Sequence, residues 1–185
     1  MKSAICTLKS VSPYSQSRHY VVDKLPKEIA KDYEARTWRE RLHRDESGIV
    51  YIPAMSFKNC LDEAAKFIGR QIPGKGKSTY TKHFEAGCMV LDHLPLGIKA
   101  DDVAGEWLFV PSDGIRGSGK RVDKCFPVIQ SWGGVVTFTI FDKTMTEDVF
   151  TETLREAGKF IGIGRWRPRN RGLYGRFEVV KVDWK

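Results

Sequence analysis

The sequence predicts a single α+β domain whose elements follow the order β-α-β-β-α-β. Three observations predict it. Two segments repeat apolar residues at the spacing of a helix, and several short segments alternate apolar and polar residues at the spacing of a strand. The chain has 185 residues, 41% of them hydrophobic and 29% charged, which suits one domain with a buried core. No apolar run approaches the roughly 18 residues of a membrane helix, and the N-terminus has no signal-peptide pattern. We therefore expect a cytoplasmic protein with no membrane partner.

The N-terminal elements are two short strands with a charged helix between them. Residues 3–10 alternate apolar and polar side chains and predict a strand, and the polar residues 12–19 predict a loop. Residues 33–44 predict a densely charged helix with Trp38 and Leu42 as its apolar anchors, and residues 31–46 mix both signs of charge, as on a solvated face. Ile49–Ile52 predicts another strand, which Pro53 ends.

Residues 55–71 carry the strongest helical pattern of the chain. The hydroxyl of Ser56 is suited to accept from free amides of the first turn and so to cap the helix. Gly69 and Pro73 predict the end of the helix. The predicted apolar stripe consists of Phe57, Leu61, Ala64, Ala65 and Ile68.

The C-terminal half begins with an irregular stretch at about 73–132, which we interpret as a large insertion decorating the main sheet. Residues 135–141 then predict a strand, residues 146–161 a second helix, and residues 177–182 a last strand. This order is that of the ferredoxin-like, or RRM-like, plan.

Charge and cysteine usage indicate a polyanion as partner. The net charge is +8, and residues 159–177 hold six basic side chains and no acidic one. The four cysteines and four histidines are scattered, with no C-x-x-C spacing. We expect the cysteines to be small buried hydrophobes and expect neither a metal site nor a cofactor.

The segment 162–177, between the second helix and the last strand, carries the most chemical information. Its four glycines allow the backbone to approach a ligand closely. Arg165, Arg167, Arg169 and Arg171 have a period of two, so an extended backbone places these four on one face, where guanidinium groups suit phosphate oxygens. Trp166 and Tyr174 are suited to stack on bases. The alternative is a solvated basic hairpin. The binding residues predicted in this loop are Arg165, Trp166, Arg167, Arg169, Arg171, Tyr174 and Arg176.

The loop resembles the glycine-rich loop of the RAMP superfamily, the repeat-associated proteins of CRISPR systems. In that family the loop has the same place in a ferredoxin-like domain and contacts RNA. Residues 52–61 resemble the family's entry into the first helix (proline, small residue, serine, hydrophobe, lysine, glycine), with Asn59 where glycine is usual. The first strand and Ser12-Pro13-Tyr14 are similar to the family's first strand and its serine-proline exit. The insertion has the position at which RAMP backbone subunits carry a thumb or web.

Further cations are predicted to lie near the nucleic acid. Ser56 and Lys58 have two interpretations, a phosphate site at a helix N-terminus or a cap and a surface lysine. The cations of the other loops also have two interpretations, since they could contact a polyanion or could serve solubility alone. The remaining predicted binding residues are Arg18, His19, Lys75, Lys77, Lys82, Arg116, Lys120 and Arg121.

From these residues we expect a non-catalytic protein that binds single-stranded RNA, or single-stranded DNA, and that self-associates along the strand, with other CRISPR-type subunits as further partners. One alternative is a guide-processing endoribonuclease, for which His19 is the candidate general acid or base. Another is a mobile-element protein that interacts with or mimics CRISPR complexes.

Overall fold

The computed structural model describes residues 1–115, 117 and 119–185 and confirms the predicted α+β class. Its main sheet has four antiparallel strands: β1 (Lys2–Ser10), β4 (Cys88–Val90), β8 (Gly133–Ile140) and β9 (Phe177–Trp184), in the spatial order β4-β8-β1-β9. Numbered among themselves, these strands lie in the order 2-3-1-4, and helices connect the first to the second and the third to the fourth. This is the ferredoxin-like arrangement that the sequence predicts.

The core lies between the main sheet and its two long helices. Helix α2 spans Ala54–Ile68, and α4 spans Glu147–Glu156 and continues as a π-helical turn at Ala157–Ile161. Alternate side chains of β1 and β8 point into this layer, so Ala4, Cys6 and Leu8 are at most 2% exposed. Within the described ranges, no helix combines the length and apolar character that crossing a bilayer requires.

Two smaller sheets and two short helices surround the main sheet. Strand β2 (Tyr14–Ser15) pairs with β7 (Arg121–Ile129), and β7 pairs with β6 (Ala104–Pro111) to form a long hairpin. Strands β3 (Ile49–Ile52) and β5 (Leu94–Lys99) form the other sheet. Helix α1 spans Ala30–Thr37 and is followed by a 3₁₀ turn at Trp38–Arg41, whereas α3 spans Thr81–Gly87.

A buried carboxylate joins the hairpin to α1. The Glu34 side chain is 1% exposed, forms an ion pair of 2.8 Å with Arg41, and accepts from the Cys125 amide at 2.8 Å and from Lys124 Nζ at 3.0 Å. Glu34 therefore satisfies the Cys125 amide, which lies on the part of β7 that does not pair with β2. This contact holds the hairpin against α1.

The added structure is distributed differently from the predicted insertion. Residues 73–132 include β4, which is an edge strand of the main sheet. The decoration therefore has two parts, one between β1 and α2 and the other between β4 and β8. The two meet because β5 pairs with β3 and β7 pairs with β2. These pairings join segments that are far apart in the sequence, so no local sequence pattern predicts them.

Candidate nucleic-acid interface

The glycine-rich loop, residues 162–177, folds back on itself and packs against the exit of β1. Ile163 N donates to Gly175 O at 3.1 Å, and Gly175 N donates to Pro13 O at 2.7 Å. Gly164 is required because its φ is +78° and a Cβ there would lie 2.4 Å from the ring of Tyr14. The loop is therefore a closed, tightly packed structure.

The packed loop forms one wall of a cleft of about 450 Å³. The start of α2 forms the opposite wall, and the segment after β1 forms the floor. Three of the predicted binding residues line it: Ser56, Arg165 and Arg167. The other lining residues were not predicted to bind the ligand, and they include Tyr14, Gln16, His43 and Asn59. Two of the segments that the RAMP resemblance singles out, the helix entry and the loop, thus face each other across this cleft.

Helix α2 directs its N-terminal end toward the cleft and begins earlier than predicted. The residue that caps it is Pro53, and Ser56 lies within the first turn, so the prediction that Ser56 caps the helix is wrong. The first turn contains no acidic side chain. The positive end of the helix dipole is therefore not neutralised from within the helix, which favours an anion in the cleft.

The loop arginines do not share one face, contrary to the expectation from their period of two. Residues Pro168–Asn170 form a 3₁₀ turn, and Arg171 is left-handed with φ +61°, so the backbone is not extended. Arg165 points toward the β6–β7 hairpin, where its guanidinium lies 4.0 Å from the ring centroid of Phe126 and forms an ion pair of 3.2 Å with Glu106. Burial lowers the pKa of Arg165, although the charge of Glu106 opposes this shift.

Two further arginines share one acceptor on α2. Arg167 Nη2 and Arg169 Nε each donate to the Glu63 carboxylate at 3.1 Å. No hydrogen bond or ion pair of the Arg171 side chain is found among the described residues, and this side chain is exposed. Arg176 donates to Lys159 O and lines a separate depression beside β9, so it lies away from the cleft.

Trp166 is neither buried nor in a relaxed conformation. Its side chain is 44% exposed, and its φ is +55°, in the left-handed region that costs a non-glycine residue about 1–2 kcal/mol. Tyr174 lies edge-on to its ring at 6.2 Å between centroids and donates its hydroxyl to Glu106 at 2.8 Å. A role for Trp166 as a core residue closing the sheet is therefore excluded.

Most of the other predicted cations do not line the cleft. Lys58 is buried against α3, where its Nζ bonds to Asp62 and to the carbonyls of Phe84 and Glu85, so its ammonium group is already satisfied. Both interpretations of Lys58 are therefore wrong. It is buried and so is not a surface lysine, and its ammonium group is bonded to Asp62 and α3 and so is not part of a phosphate site at the cleft. Exposed positions on α3, on the loop before it and near the tip of the hairpin are occupied by Lys75, Lys77, Lys82, Lys120 and Arg121. Arg116 lies outside the described residues.

The segment after β2 brings Arg18 near the unpredicted His43, which follows the 3₁₀ turn at Trp38–Arg41. Arg18 N donates to Arg41 O, and Arg18 and His19 are both exposed. His43 lines the cleft itself. Burial lowers the pKa of His43, and the positive charge of Arg18 lowers it further. His43 belongs to none of the predicted motifs. Its backbone amide donates to the Gln16 side chain at 2.6 Å, and its carbonyl accepts from Tyr51 N at 3.0 Å, so tertiary contacts place it in the cleft.

Comparison with known proteins gives similarity at the level of solved structures. No protein-family model and no curated protein matches the chain. The chain is similar to Cmr6 from Pyrococcus furiosus, at 12% identity and a TM-score of 0.48 over 97% of this chain and 99% of that one. It is also similar to a chain of a CRISPR RNA-guided surveillance complex, at 8% identity and a TM-score of 0.41 over 97% of this chain and 66% of that one.

Proposed function

We propose that this protein is a non-catalytic RAMP-type subunit that binds single-stranded nucleic acid, RNA in the first place, along the cleft between α2 and the glycine-rich loop. One observation carries the proposal. The helix entry and the glycine-rich loop, which are more than 100 residues apart in the sequence, form the two walls of one cleft.

The chemistry of the cleft suits a phosphodiester backbone. The N-terminal end of α2 supplies positive potential, and Arg167 adds guanidinium donors that it shares with Glu63 in the free protein. Ser56 and Asn59 supply neutral polar groups for phosphate and sugar oxygens. These contacts carry little base information, so we expect similar affinity for different sequences. Preference for RNA over DNA would require contacts to the 2′-hydroxyl, for which the exposed amide of Asn59 at the cleft is a candidate.

A carboxylate introduced into the cleft tests the proposal. Ser56→Asp places a negative charge in the first turn of α2, where the helix dipole favours it, so the variant should fold as well as the wild type. The same charge should repel phosphate and weaken binding of a labelled single-stranded RNA at least tenfold, measured by fluorescence anisotropy at low salt. Ser131→Asp is the matched control, because Ser131 is exposed and does not line the cleft. Equal affinity of the two folded variants would contradict the proposal.

An endoribonuclease is the second candidate, and the position of His43 is the observation that favours it. His43 lies in the cleft with its pKa lowered by burial, so at neutral pH it is uncharged and able to accept a proton. Incubation of labelled RNA with the protein separates the two functions. Discrete cleavage products that His43→Gln abolishes would favour the enzyme, and intact RNA in a stable complex would favour the binding subunit.

A further inference from the structure

The glycine-rich loop has a second depression on its other side, facing the β6–β7 hairpin. It measures about 280 Å³ and is lined by Leu108, Val110, Arg165, Trp166 and Asn170. This volume lies just below the range of roughly 300–1,000 Å³ that is typical of sites for drug-sized ligands. The depression therefore suits a single flat group.

This second depression, which we call the slot, has walls that are suited to stacking a base. Leu108 and Val110 are neighbours on one face of β6 and are only partly buried, so they present an apolar surface. The indole of Trp166 forms the other side. Base–aromatic stacking requires an aromatic ring that a base can reach, and the Trp166 side chain is 44% exposed where it lines the slot.

The backbone holds Trp166 in this position at an energetic cost. Tyr174 N donates to Trp166 O at 3.2 Å, and Gly172 packs so closely that a Cβ there would lie 1.6 Å from the same oxygen. A glycine at position 166 would adopt the left-handed conformation without strain. A large, strained and half-exposed tryptophan contributes little to the core, so a function is the simplest account of it.

The polar groups around the slot connect it to the cleft. Arg165 lines both depressions, and its guanidinium lies 5.5 Å from the ring centroid of Trp166. Asn170 is exposed at the slot, and its side-chain amide makes no hydrogen bond within the described part of the chain. An amide offers both a donor and an acceptor, which matches the edge of a nucleobase.

We propose that the slot between Trp166 and β6 receives one unstacked nucleobase of the bound strand, with the adjoining phosphate on the cleft side of the loop. The base stacks on Trp166, contacts Leu108 and Val110, and presents its edge to Asn170. This inference rests on the proposed function, because the strand in the cleft delivers the base. It adds a contact to the base itself, made on the opposite side of the loop from the phosphate-binding cleft.

A strand without bases separates the two contacts. We expect the wild-type protein to bind a short oligoadenylate about 5- to 150-fold more tightly than an abasic strand of equal length, the range that corresponds to stacking one base. Trp166→Leu should bind both strands with the affinity that the wild type has for the abasic strand. Trp107→Leu is the matched control, because Trp107 is 46% exposed but lies on the other face of β6.

Each outcome decides one of the two claims. If Trp166→Leu keeps the preference for the oligoadenylate, or if Trp107→Leu loses it equally, the proposal that the slot receives a base is wrong. If the wild type binds both strands equally well, that proposal is wrong and the proposed binding in the cleft stands. If the wild type binds neither strand, the proposed function itself is wrong. Val110→Phe, which fills the slot and keeps Trp166, should reduce the preference as Trp166→Leu does, and a full preference in this folded variant would also contradict the slot.

Discussion

Single residues of the glycine-rich loop have different tasks, although their sequence pattern makes them look equivalent. Arg165 is only 16% exposed and joins the loop to the hairpin through Glu106 and to β2 through Ser15. Arg171 is exposed, with no partner among the described residues. Alternation along the chain could not reveal this difference, because the partners of Arg165 lie on β2 and β6.

Replacement of Arg165 should therefore act on stability first. Arg165→Gln leaves Glu106 without its cation and removes a group stacked on Phe126, so we expect the free energy of unfolding to fall by about 1–3 kcal/mol. Urea unfolding followed by tryptophan fluorescence measures it. Arg171→Gln is the control and should leave stability unchanged. Equal stability of the two variants would show that Arg165 does not hold the hairpin.

His43 should make the stability of the protein depend on pH. Burial lowers the pKa of His43 below its ordinary value of 6.5, and the charges of Arg18 and His93 lower it further. The unfolded chain therefore takes up this proton at a higher pH than the folded chain. The contribution of His43 to stability is complete above pH 6.5 and is lost as the pH falls toward the folded pKa.

The variant His43→Gln has no titrating side chain at this position, so its stability should depend less on pH. When the pH is lowered from neutral to mildly acidic values, the free energy of unfolding should fall less in the variant than in the wild type. Urea unfolding of both proteins at the two pH values measures the difference. A difference between the proteins that does not change with pH would contradict the assignment.

At the scale of elements, α2 presents both an attraction and a competitor to the bound strand. Its first turn attracts anions, whereas Glu63, about two turns later, holds Arg167 and Arg169. A phosphate that approaches these arginines must displace the Glu63 carboxylate or share their remaining donors. Free protein and bound protein should therefore differ in the partners of these two arginines.

Neutralising Glu63 should strengthen binding. Glu63→Gln frees two arginines, and each freed cation adds roughly 0.7 to the slope of log affinity against log salt for a single strand, so the slope should steepen by about 1.4. Anisotropy titrations with RNA over a series of salt concentrations measure it. Glu152→Gln is the matched control, because Glu152 pairs with Arg70 on the surface away from the cleft. An equal slope in both variants would show that Glu63 does not compete.

The elements that the sequence predicted well are those with a one-sided apolar pattern. Strand β8 and helix α2 lie within a few residues of their predicted bounds, because one face of each packs in the core. Strand β7 was not predicted. It contains Pro127 and charged residues, and it forms because β6, β2 and Glu34 satisfy its backbone groups. The sequence predicted the glycine-rich loop and the helix entry because each is local in the chain. Glu63 and Glu106, which pair with loop arginines, and His43, which lines the cleft, are brought there by tertiary contacts that no local pattern predicts.

At the scale of the whole molecule, the cleft of about 450 Å³ is too small to enclose a long strand. A strand bound there extends beyond one copy, so a longer strand should hold several copies. Sedimentation of the protein with oligonucleotides of increasing length should show stepwise growth in the number of bound copies. A single copy on every length would exclude assembly along the strand and leave binding by one copy.

The four buried cysteines allow local unfolding of the domain to be followed with a thiol reagent. They lie in different elements, Cys6 in β1, Cys60 in α2, Cys88 in β4 and Cys125 in β7, and burial raises the pKa of each, to about 12 for Cys6 and Cys88. A thiol reagent therefore modifies each one only while its own element is open. Strand β4 is short and pairs on one side only, whereas β1 has a neighbour on both sides, so Cys88 should react before Cys6. Mass spectrometry of digested samples gives this order, and earlier labelling of Cys6 would mean that the centre of the sheet opens before its edge.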